Sequence, residues 1–281
     1  MTVAGIYFTV TQRQRLRELG AAVELIDGTF ADVAARDAAY KDLERRLTTD
    51  GRRHLSELRA AGRPPALPAL AQKLRQTLAA AGFVEVVTPH IISRDALQKM
   101  GIPSDDPLTD QVFWLDGSHC LRPMLAPNLY TLMRRLGRIW SRPFGIFEVG
   151  TCFRRDSQGS RHSNEFTMLN LVELGRAADE CRARLEELAA LVLTAAGIAD
   201  YELAGAESGI YGETIDVLVH GLEVCSTAIG PLPLDDAWGI TEPWVGLGFG
   251  LERMLQARDG HENIERVSRS VSYLDGVRLN L

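Results

Sequence analysis

Apolar residues recur at helical spacing along much of the chain. Residues 66–81 place leucines at 67, 70, 74 and 78, the spacing of a helix with one buried face, and Gly82 follows as its end. Near the N-terminus, Thr11 and Gln14 suit a capping box for a short helix that Gly20 ends. Similar spacing predicts further helices from Phe30, around 52–59, at 95–100, 127–136 and 178–197, and after residue 250.

Alternation of apolar and polar residues marks the strands. The long run 147–175 predicts a β-hairpin with a polar tip, and shorter runs predict strands at 83–89, 111–115, 120–124, 210–219, 222–230 and 244–250. Helices precede, separate and follow these strands instead of alternating with them one for one. We therefore predict an α+β fold rather than a doubly wound parallel sheet.

The first 65 residues differ from the rest because they are helical and locally basic, and the Pro64-Pro65 step ends them. We predict a small N-terminal region at 1–65 and a main domain at 66–281. The net charge of -6 excludes a strongly basic nucleic-acid binder overall, although a local basic patch can still bind RNA. The alternative is that these helices only expose solvated charges.

Composition is that of a folded globular protein, with 46% hydrophobic and 24% charged residues among 281. No apolar run is long enough to span a bilayer and no signal-peptide pattern opens the chain, so we expect a cytoplasmic protein with no membrane partner. Cys120, Cys152, Cys181 and Cys225 form no CxxC pair. We expect them to be reduced core thiols.

The tip of the long hairpin is crowded with cations. Arg154, Arg155, Arg161 and His162 flank the turn-rich stretch 156–160. Like charges repel, so this arrangement favours an anion bound among them. The alternative is a solvated tip without a ligand.

The strand at 244–250 carries glycines at every second position, 246, 248 and 250, so that one of its faces has no side chains. Glu252 and Arg253 follow in the first turn of a helix, where the helix end and an arginine together favour phosphate. The alternative is close helix-on-strand packing. The spacing is not that of a dinucleotide-binding fingerprint.

Taken together, these features resemble a known family. The helix and strand ending at Pro89, the FRR-loop-F strand from Arg154 to Phe166, and GLGFGLER up to Arg253 look like motifs 1, 2 and 3 of class II aminoacyl-tRNA synthetases. The stretches RPMLAPNLY, EFTMLN, GPLPLDDAWGI and SVSYLDG are similar to the pyrrolysyl-tRNA synthetase family. The chain resembles the group that lacks a separate N-terminal tRNA-binding domain.

The resemblance implies an antiparallel sheet of six or seven strands, a homodimer built partly through the motif 1 helix, and two reaction steps. ATP and pyrrolysine give an aminoacyl-adenylate and pyrophosphate, and the acyl group then passes to the tRNA specific for pyrrolysine. ATP and Mg²⁺ are therefore the expected cofactors, and DNA is not an expected partner. By resemblance, Arg154 and Arg253 are catalytic, the ATP site comprises Arg154, Asp156, His162, Phe166, Glu223, Ser226 and Arg253, and Glu223 with Ser226 hold the metal.

Two of these assignments carry geometric consequences. Phe166 and Asn170 lie four apart, so a regular strand turns both to one face. Glu223 and Ser226 lie three apart, so a regular strand would turn them to opposite faces, and a shared metal site requires a bulge or strong twist.

The amino-acid pocket is likewise implied by the resemblance. Asn170 matches an asparagine that bonds the substrate's side-chain amide, and Tyr211 matches a hairpin tyrosine that closes over the ring. The expected pocket comprises Ala126, Leu129, Tyr130, Met133, Met168, Asn170, Val172, Tyr211, Trp244 and Gly246. The apolar members offer nothing to pair with a free lysine ammonium, so lysine should be rejected.

The chain departs from the family pattern at Asp156, where Glu is common, and at Ser163 and Asn164, which replace an apolar-acidic pair. These positions bear on ATP or tRNA binding rather than on the reaction class. Two other interpretations stay open. One is a class II synthetase-like ligase that acts on another lysine-like amino acid or acceptor, and the other is a non-catalytic protein that binds amino acids or RNA.

Overall fold

The computed structural model describes residues 5–155 and 163–281, which form two compact units. One unit consists of Met1–Ala66 and Glu265–Leu281, and the other of Leu67–Ile264. The second unit starts close to the predicted boundary, whereas the last 17 residues group with the N-terminal unit instead of the main domain. Among the described helices, none has the length and hydropathy needed to cross a membrane.

The first unit is mainly helical. Its elements are β1 (Ile6–Tyr7), α1 (Val10–Leu19), α2 (Val23–Ile26), β2 (Thr29–Phe30) and α3 (Val33–Ala61), and β1 pairs antiparallel with β2. Phe8, Leu16, Ile26 and Leu43 form its core. The predicted α1 cap was displaced by two residues, because Thr9 and Gln12 make the reciprocal capping box.

The predicted helices at 30 and 52–59 are one continuous helix, α3, which Gly62 ends in the left-handed conformation. The break expected between them does not occur, and Gly51 lies inside the helix, where a Cβ would lie 3.0 Å from Val277 Cγ1. Asp32 caps the helix start by accepting from Ala35 N–H at 2.7 Å.

The second unit is built on a seven-stranded sheet. Its elements in chain order are α4 (Ala66–Ala80), β3 (Val84–Glu85), β4 (Ile91–Ser93), α5 (Arg94–Lys99), β5 (His119–Leu121), α6 (Ala126–Leu136), β6 (Phe144–Phe153), β7 (Glu165–Leu174), α7 (Cys181–Ala196), β8 (Glu202–Ser208), β9 (Gly212–Val219), β10 (Leu222–Gly230), β11 (Trp244–Gly250) and α8 (Leu251–Asp259). The strand order is β3-β6-β7-β11-β10-β9-β8. Each neighbouring pair is antiparallel except β3 with β6, which is parallel.

The predicted α+β fold is therefore confirmed, and the long hairpin is β6 and β7, paired from Phe144 opposite Leu174 to Phe153 opposite Glu165. Two strand predictions were wrong in detail. Residues 111–115 make only an isolated bridge, Trp114 to Cys120, because β5 pairs with β4 instead. The strand at 83–89 is reduced to Val84–Glu85, with one further hydrogen bond from Val86 N–H to the Phe147 carbonyl at 2.8 Å.

One face of β11 packs into the core through Val245, Leu247 and Phe249, and α7 lies against this strand. The opposite face carries the three glycines and is open. The four cysteines are buried and free, as predicted. In the last segment of the chain, β12 (Tyr273–Leu274) pairs with β13 (Val277–Arg278).

Candidate active site

A cavity of about 370 Å³ opens over the middle strands of the large sheet. Strand β7 contributes a side chain at every second position, Phe166, Met168, Asn170 and Val172. Phe166 and Asn170 thus share one face, as the strand period predicts. Arg154 enters the cavity directly after β6, and the other lining residues used below come from α6, from the β8–β9 hairpin, and from β10, β11 and α8.

The glycines of β11 give this cavity its depth. A Cβ at Gly248 would lie 3.4 Å from Met168 Cε and 3.6 Å from Asn170 Oδ1, directly in the cavity, and one at Gly246 would lie 2.9 Å from Trp244 Cζ3. Because Gly248 pairs with Asn170 and with Ser226 across the sheet, larger residues here would fill the space between three lining strands. The bare face predicted from the sequence is confirmed.

Arg154 stands at one end of the cavity with its guanidinium held on two sides. Its Nε donates to the Pro123 carbonyl at 2.9 Å, and its Cζ lies 5.3 Å from the centre of the Phe166 ring. Backbone N–H of Arg154 also donates to the Asn164 carbonyl at 3.0 Å. The planar fork is therefore oriented by its neighbours and suited to bidentate contact with an anion.

A buried ion pair holds the segment that orients Arg154. Arg122 is fully buried and its Nη1 lies 2.8 Å from Glu148 Oε1, while Thr88 Oγ1 donates to the same carboxylate at 2.6 Å. Gly150 makes this possible, because a Cβ there would lie 2.3 Å from Arg122 Nη2. Residue 123, whose carbonyl receives Arg154, is thereby fixed beside β6.

Arg253 and Glu223 meet at the same end. Arg253 Nη1 lies 3.6 Å from Glu223 Oε1 and 3.4 Å from the Glu223 carbonyl oxygen. The β9–β10 register shifts between Glu223 and Cys225, and this bulge turns both Glu223 and Ser226 toward the cavity. The irregularity that a shared metal site requires is thus present.

Glu252 had no predicted role, yet it links two lining elements. Its two carboxylate oxygens both accept from the Thr167 N–H at 2.9 Å, and the side chain is buried. This contact ties α8, which carries Arg253, to β7, which carries Phe166. The sequence feature that could have indicated this role is its position directly before Arg253, the motif 3 arginine.

The other end of the cavity is aromatic and apolar. Ala126, Leu129, Tyr130, Val172 and Trp244 line it. Tyr130 stacks on Trp238 with ring centres 5.3 Å apart and meets the edge of Trp244 at 5.6 Å. Asn170 is oriented between the two ends, because its Nδ2 donates to the Leu247 carbonyl at 3.2 Å.

Met133 is the predicted pocket residue that the structure does not bring to this surface. It is fully buried in the core behind the cavity, together with Ile146 and Leu174. Leu129 and Tyr130, one turn earlier on α6, occupy the cavity side instead. Sequence spacing predicts Leu129 and Met133 on one apolar helix face, with Tyr130 near its edge, but it does not say where that face passes from cavity wall to core.

Tyr211 lies at the tip of the β8–β9 hairpin and lines the cavity. Ser208 Oγ accepts from the N–H groups of Ile210 and Tyr211 at 3.2 and 3.3 Å, which shapes the tip. Burial raises the pKa of the Tyr211 phenol, and the Asp235 carboxylate raises it further while Arg154 opposes the shift. The phenol therefore stays neutral and able to donate a hydrogen bond.

Solved structures with nearly the same fold identify the family. A crystal structure of pyrrolysyl-tRNA synthetase from Desulfitobacterium hafniense is 53% identical, has a TM-score of 0.94, and the alignment covers 99% of this chain and 100% of that one. This chain belongs to the pyrrolysyl-tRNA synthetase family. A second structure from the same organism, described as PylSc, a pyrrolysyl tRNA synthetase, is 53% identical with a TM-score of 0.93 and covers 99% of each chain.

Residues 55–225 also match the family model described as phenylalanyl tRNA synthetase beta chain CLM domain. That description names a synthetase for a different amino acid, so it supports the enzyme class and not the substrate. Membership of the pyrrolysyl-tRNA synthetase family makes the chain an aminoacyl-tRNA ligase and confirms the resemblance drawn from motifs 1, 2 and 3.

Two predicted ATP residues of this family member, Asp156 and His162, lie outside the described residues. Within 5–155 and 163–281, no group of three or more His, Cys, Asp or Glu residues could hold a metal by itself. Glu223 and Ser226 nonetheless fit Mg²⁺, because this ion takes few protein oxygens and completes its shell with phosphate oxygens and water.

Proposed function

We propose that this chain activates pyrrolysine with ATP and transfers the acyl group to the 3' end of its cognate tRNA. The observation that carries the proposal is the shared face of β7, where Phe166 and Asn170 enter one cavity that also receives Arg154 and Arg253. A nucleotide and an amino acid can therefore lie side by side on a single strand.

At the charged end, Arg154 contacts the α-phosphate, where the amino acid's carboxylate attacks in line, and Arg253 contacts the γ-phosphate side. Phe166 stacks under the adenine. Charge grows on phosphate oxygens during this step, so positioned guanidinium groups lower the barrier. Glu223 and Ser226 would hold Mg²⁺, which supplies further positive charge to the triphosphate when bound.

At the apolar end, the long side chain of pyrrolysine lies along Ala126, Leu129, Val172 and Trp244, and Asn170 bonds its amide. Tyr211 closes over the pyrroline ring. Free lysine is rejected because these apolar lining residues offer its ammonium group no compensating partner.

We further propose that the N-terminal unit contacts tRNA and that two chains associate partly through α4. Exposed arginines on α3 support the first idea, although several are engaged within the helix, as Arg45 and Arg46 are with Asp42. Release of such pairs to phosphate would make binding salt-dependent. Cytoplasmic location also remains a prediction.

Pyrophosphate exchange tests the first reaction step directly. The purified chain is assayed with ATP, Mg²⁺ and each of pyrrolysine, lysine and the other common amino acids. We expect exchange with pyrrolysine alone, and exchange with lysine but not pyrrolysine would contradict the proposal.

Acyl transfer to the cognate tRNA tests the second step and separates the alternatives. A ligase for another acceptor would exchange with pyrrolysine without charging the tRNA, and a non-catalytic binder would do neither. Sedimentation equilibrium tests the homodimer, for which a monomer mass would be the contrary result.

A further inference from the structure

A buried carboxylate, Asp235, lies behind the aromatic end of the cavity. It is fully buried within the short 3-10 helix Pro233–Trp238. Its Oδ2 accepts from Leu232 N–H and from Trp244 Nε1, each at 2.7 Å. The first contact shapes the loop, and the second reaches a residue that lines the cavity.

On the side opposite Asp235, the indole of Trp244 packs against the backbone of Gly230. A Cβ at Gly230, which pairs with Trp244 across the sheet, would lie 1.8 Å from Nε1. Glycine at 230 therefore creates the slot through which the indole edge reaches Asp235. Both the slot and the acceptor are needed for the orientation that presents the ring to the cavity.

Trp244 in turn supports Tyr130, which meets it edge to face, and Tyr130 stacks on Trp238 from the same short helix as Asp235. Trp238 is anchored separately, since its Nε1 donates to the Lys99 carbonyl at 3.1 Å. The three rings form a corner at the apolar end, held by one carboxylate and one carbonyl.

This corner contains polar atoms that the rest of the site does not use. Asp235 Oδ1 and the Tyr130 hydroxyl are both buried. Burial raises the pKa of the Tyr130 phenol, and Tyr211 and Asp235 raise it further, Asp235 also through a hydrogen bond, so the hydroxyl and the carboxylate lie next to each other. A buried carboxylate is costly, and a loop shape alone could be secured by a neutral cap. Its contact with Trp244 and its position beside Tyr130, both of which line the cavity, point to a role in the pocket itself.

We propose that Asp235 is a positioning residue for substrate specificity, because its hydrogen bond to Trp244 fixes the aromatic corner that receives the ring of the amino-acid side chain. Asp235 does not touch the substrate; it acts through Trp244. The inference rests on the proposed function, since it assigns the apolar end to a ring-capped lysine derivative.

The test compares pyrrolysine with a lysine derivative that carries a linear Nε-acyl group. The ratio of kcat/KM for the two amino acids in pyrophosphate exchange measures selectivity for the ring. We expect Asp235→Leu to lower this ratio roughly tenfold through the KM for pyrrolysine, leaving the KM for ATP unchanged, since a misplaced pocket wall weakens only what it contacts.

Two further variants separate positioning from a general structural role. Asp235→Asn keeps an oxygen that can accept from Trp244, and we expect it to restore most of the selectivity. Gly230→Ala disturbs the same contact from the opposite side of the indole and should lower the kcat/KM ratio as Asp235→Leu does. It therefore replaces Asp235→Leu in the test if that variant folds poorly.

A double-mutant cycle with Trp244→Phe tests whether Asp235 acts through the indole. Both substitutions remove the same hydrogen bond between Trp244 Nε1 and Asp235. We therefore expect the double variant Asp235→Leu with Trp244→Phe to be as selective as the less selective of the two single variants. Multiplied effects, or an unchanged ratio in Asp235→Leu and Gly230→Ala, would overturn the proposal.

The control is Glu173→Leu. Glu173 is another buried carboxylate of the sheet, paired with Arg176 and Arg184 away from the cavity. It should lower the melting temperature without changing the ratio, and a comparable loss of selectivity would count against a specific role of Asp235. Absence of exchange in the unaltered protein would instead defeat the proposed function.

Discussion

The two ends of the cavity are built in different ways. At the phosphate end, the Arg253 and Glu223 side chains are 29% and 46% exposed, and their closest atoms lie 3.6 Å apart. At the amino-acid end, Tyr130 and Trp244 are each 2% exposed and the Asp235 contacts measure 2.7 Å. The Arg253–Glu223 pair at the first end remains accessible to water, whereas the aromatic rings at the second end are already packed together.

The difference between the two ends fits the ligand that the proposed function assigns to each of them. Charged groups lose favourable hydration when buried, so they are best kept accessible until a phosphate and its metal replace the water. Apolar and aromatic walls have no such cost and can be packed in advance. Under the proposed function, we therefore expect ATP to complete its own site and the amino acid to enter a preformed one.

The strongest test of the charged end is Arg154→Ala. Loss of the guanidinium removes the charge stabilisation proposed for the α-phosphate, where the reaction takes place. We therefore expect pyrophosphate exchange to fall roughly 1000-fold. Exposed Arg155, which lies over Phe113 at 5.3 Å, is the matched control, and Arg155→Ala should retain exchange. Equal losses in the two variants would show that net charge, not position, matters.

Gly248→Val tests the boundary between the two ends. Its side chain would project toward Met168 and Asn170 and fill the passage between them. We expect kcat/KM for exchange to fall roughly 100-fold, with higher KM for both ATP and pyrrolysine, because displaced reactants lose alignment. Gly205→Val on β8 meets open space and should be nearly silent. A silent Gly248→Val would place the reacting groups elsewhere.

Asn170→Ala tests the preformed end. Removing the carboxamide leaves the substrate amide without its partner, so we expect discrimination between pyrrolysine and an isosteric ester analogue to fall roughly 30-fold. Asn128→Ala, whose amide bonds Thr88 and Pro89, serves as the control. Untouched selectivity in Asn170→Ala would mean that the pocket is misplaced.

The smallest expected effect is that of Glu223→Gln. The amide keeps the shape but weakens a metal ligand, so the Mg²⁺ concentration for half-maximal exchange should rise roughly tenfold. Exposed Glu213→Gln is the comparison variant. If both variants need the same Mg²⁺ concentration, the metal is not held at Glu223.

Sequence reasoning succeeded where one local period decides the outcome. The hairpin of β6 and β7, the common face of Phe166 and Asn170, and the bare face of β11 all follow from alternation along single strands. It was less accurate where the structure of a segment depends on a partner that is distant in the sequence. Residues 111–115 alternate like a strand, but β5 pairs with β4, and Met133 shares a helix face with Leu129 yet lies behind the cavity.

The roles of Asp235 and Glu252 could not be read from the sequence for a related reason. A carboxylate in a loop or a first helical turn is ordinarily a cap, and nothing local distinguishes one that reaches Trp244 or Thr167 across the sheet. Their partners are 9 and 85 residues away, and only tertiary packing brings them together.

The bulge between Glu223 and Cys225 makes the proposed metal site depend on the number of residues in the strand as well as on their chemistry. One additional residue sets the phase of the strand, so that an acid and a hydroxyl three positions apart face the same way. Inserting one residue between Cys225 and Ser226 would preserve every predicted ligand and still change the phase, turning Glu223 or Ser226 away from the cavity. In this strand, the number of residues is as much a part of the active site as their identity.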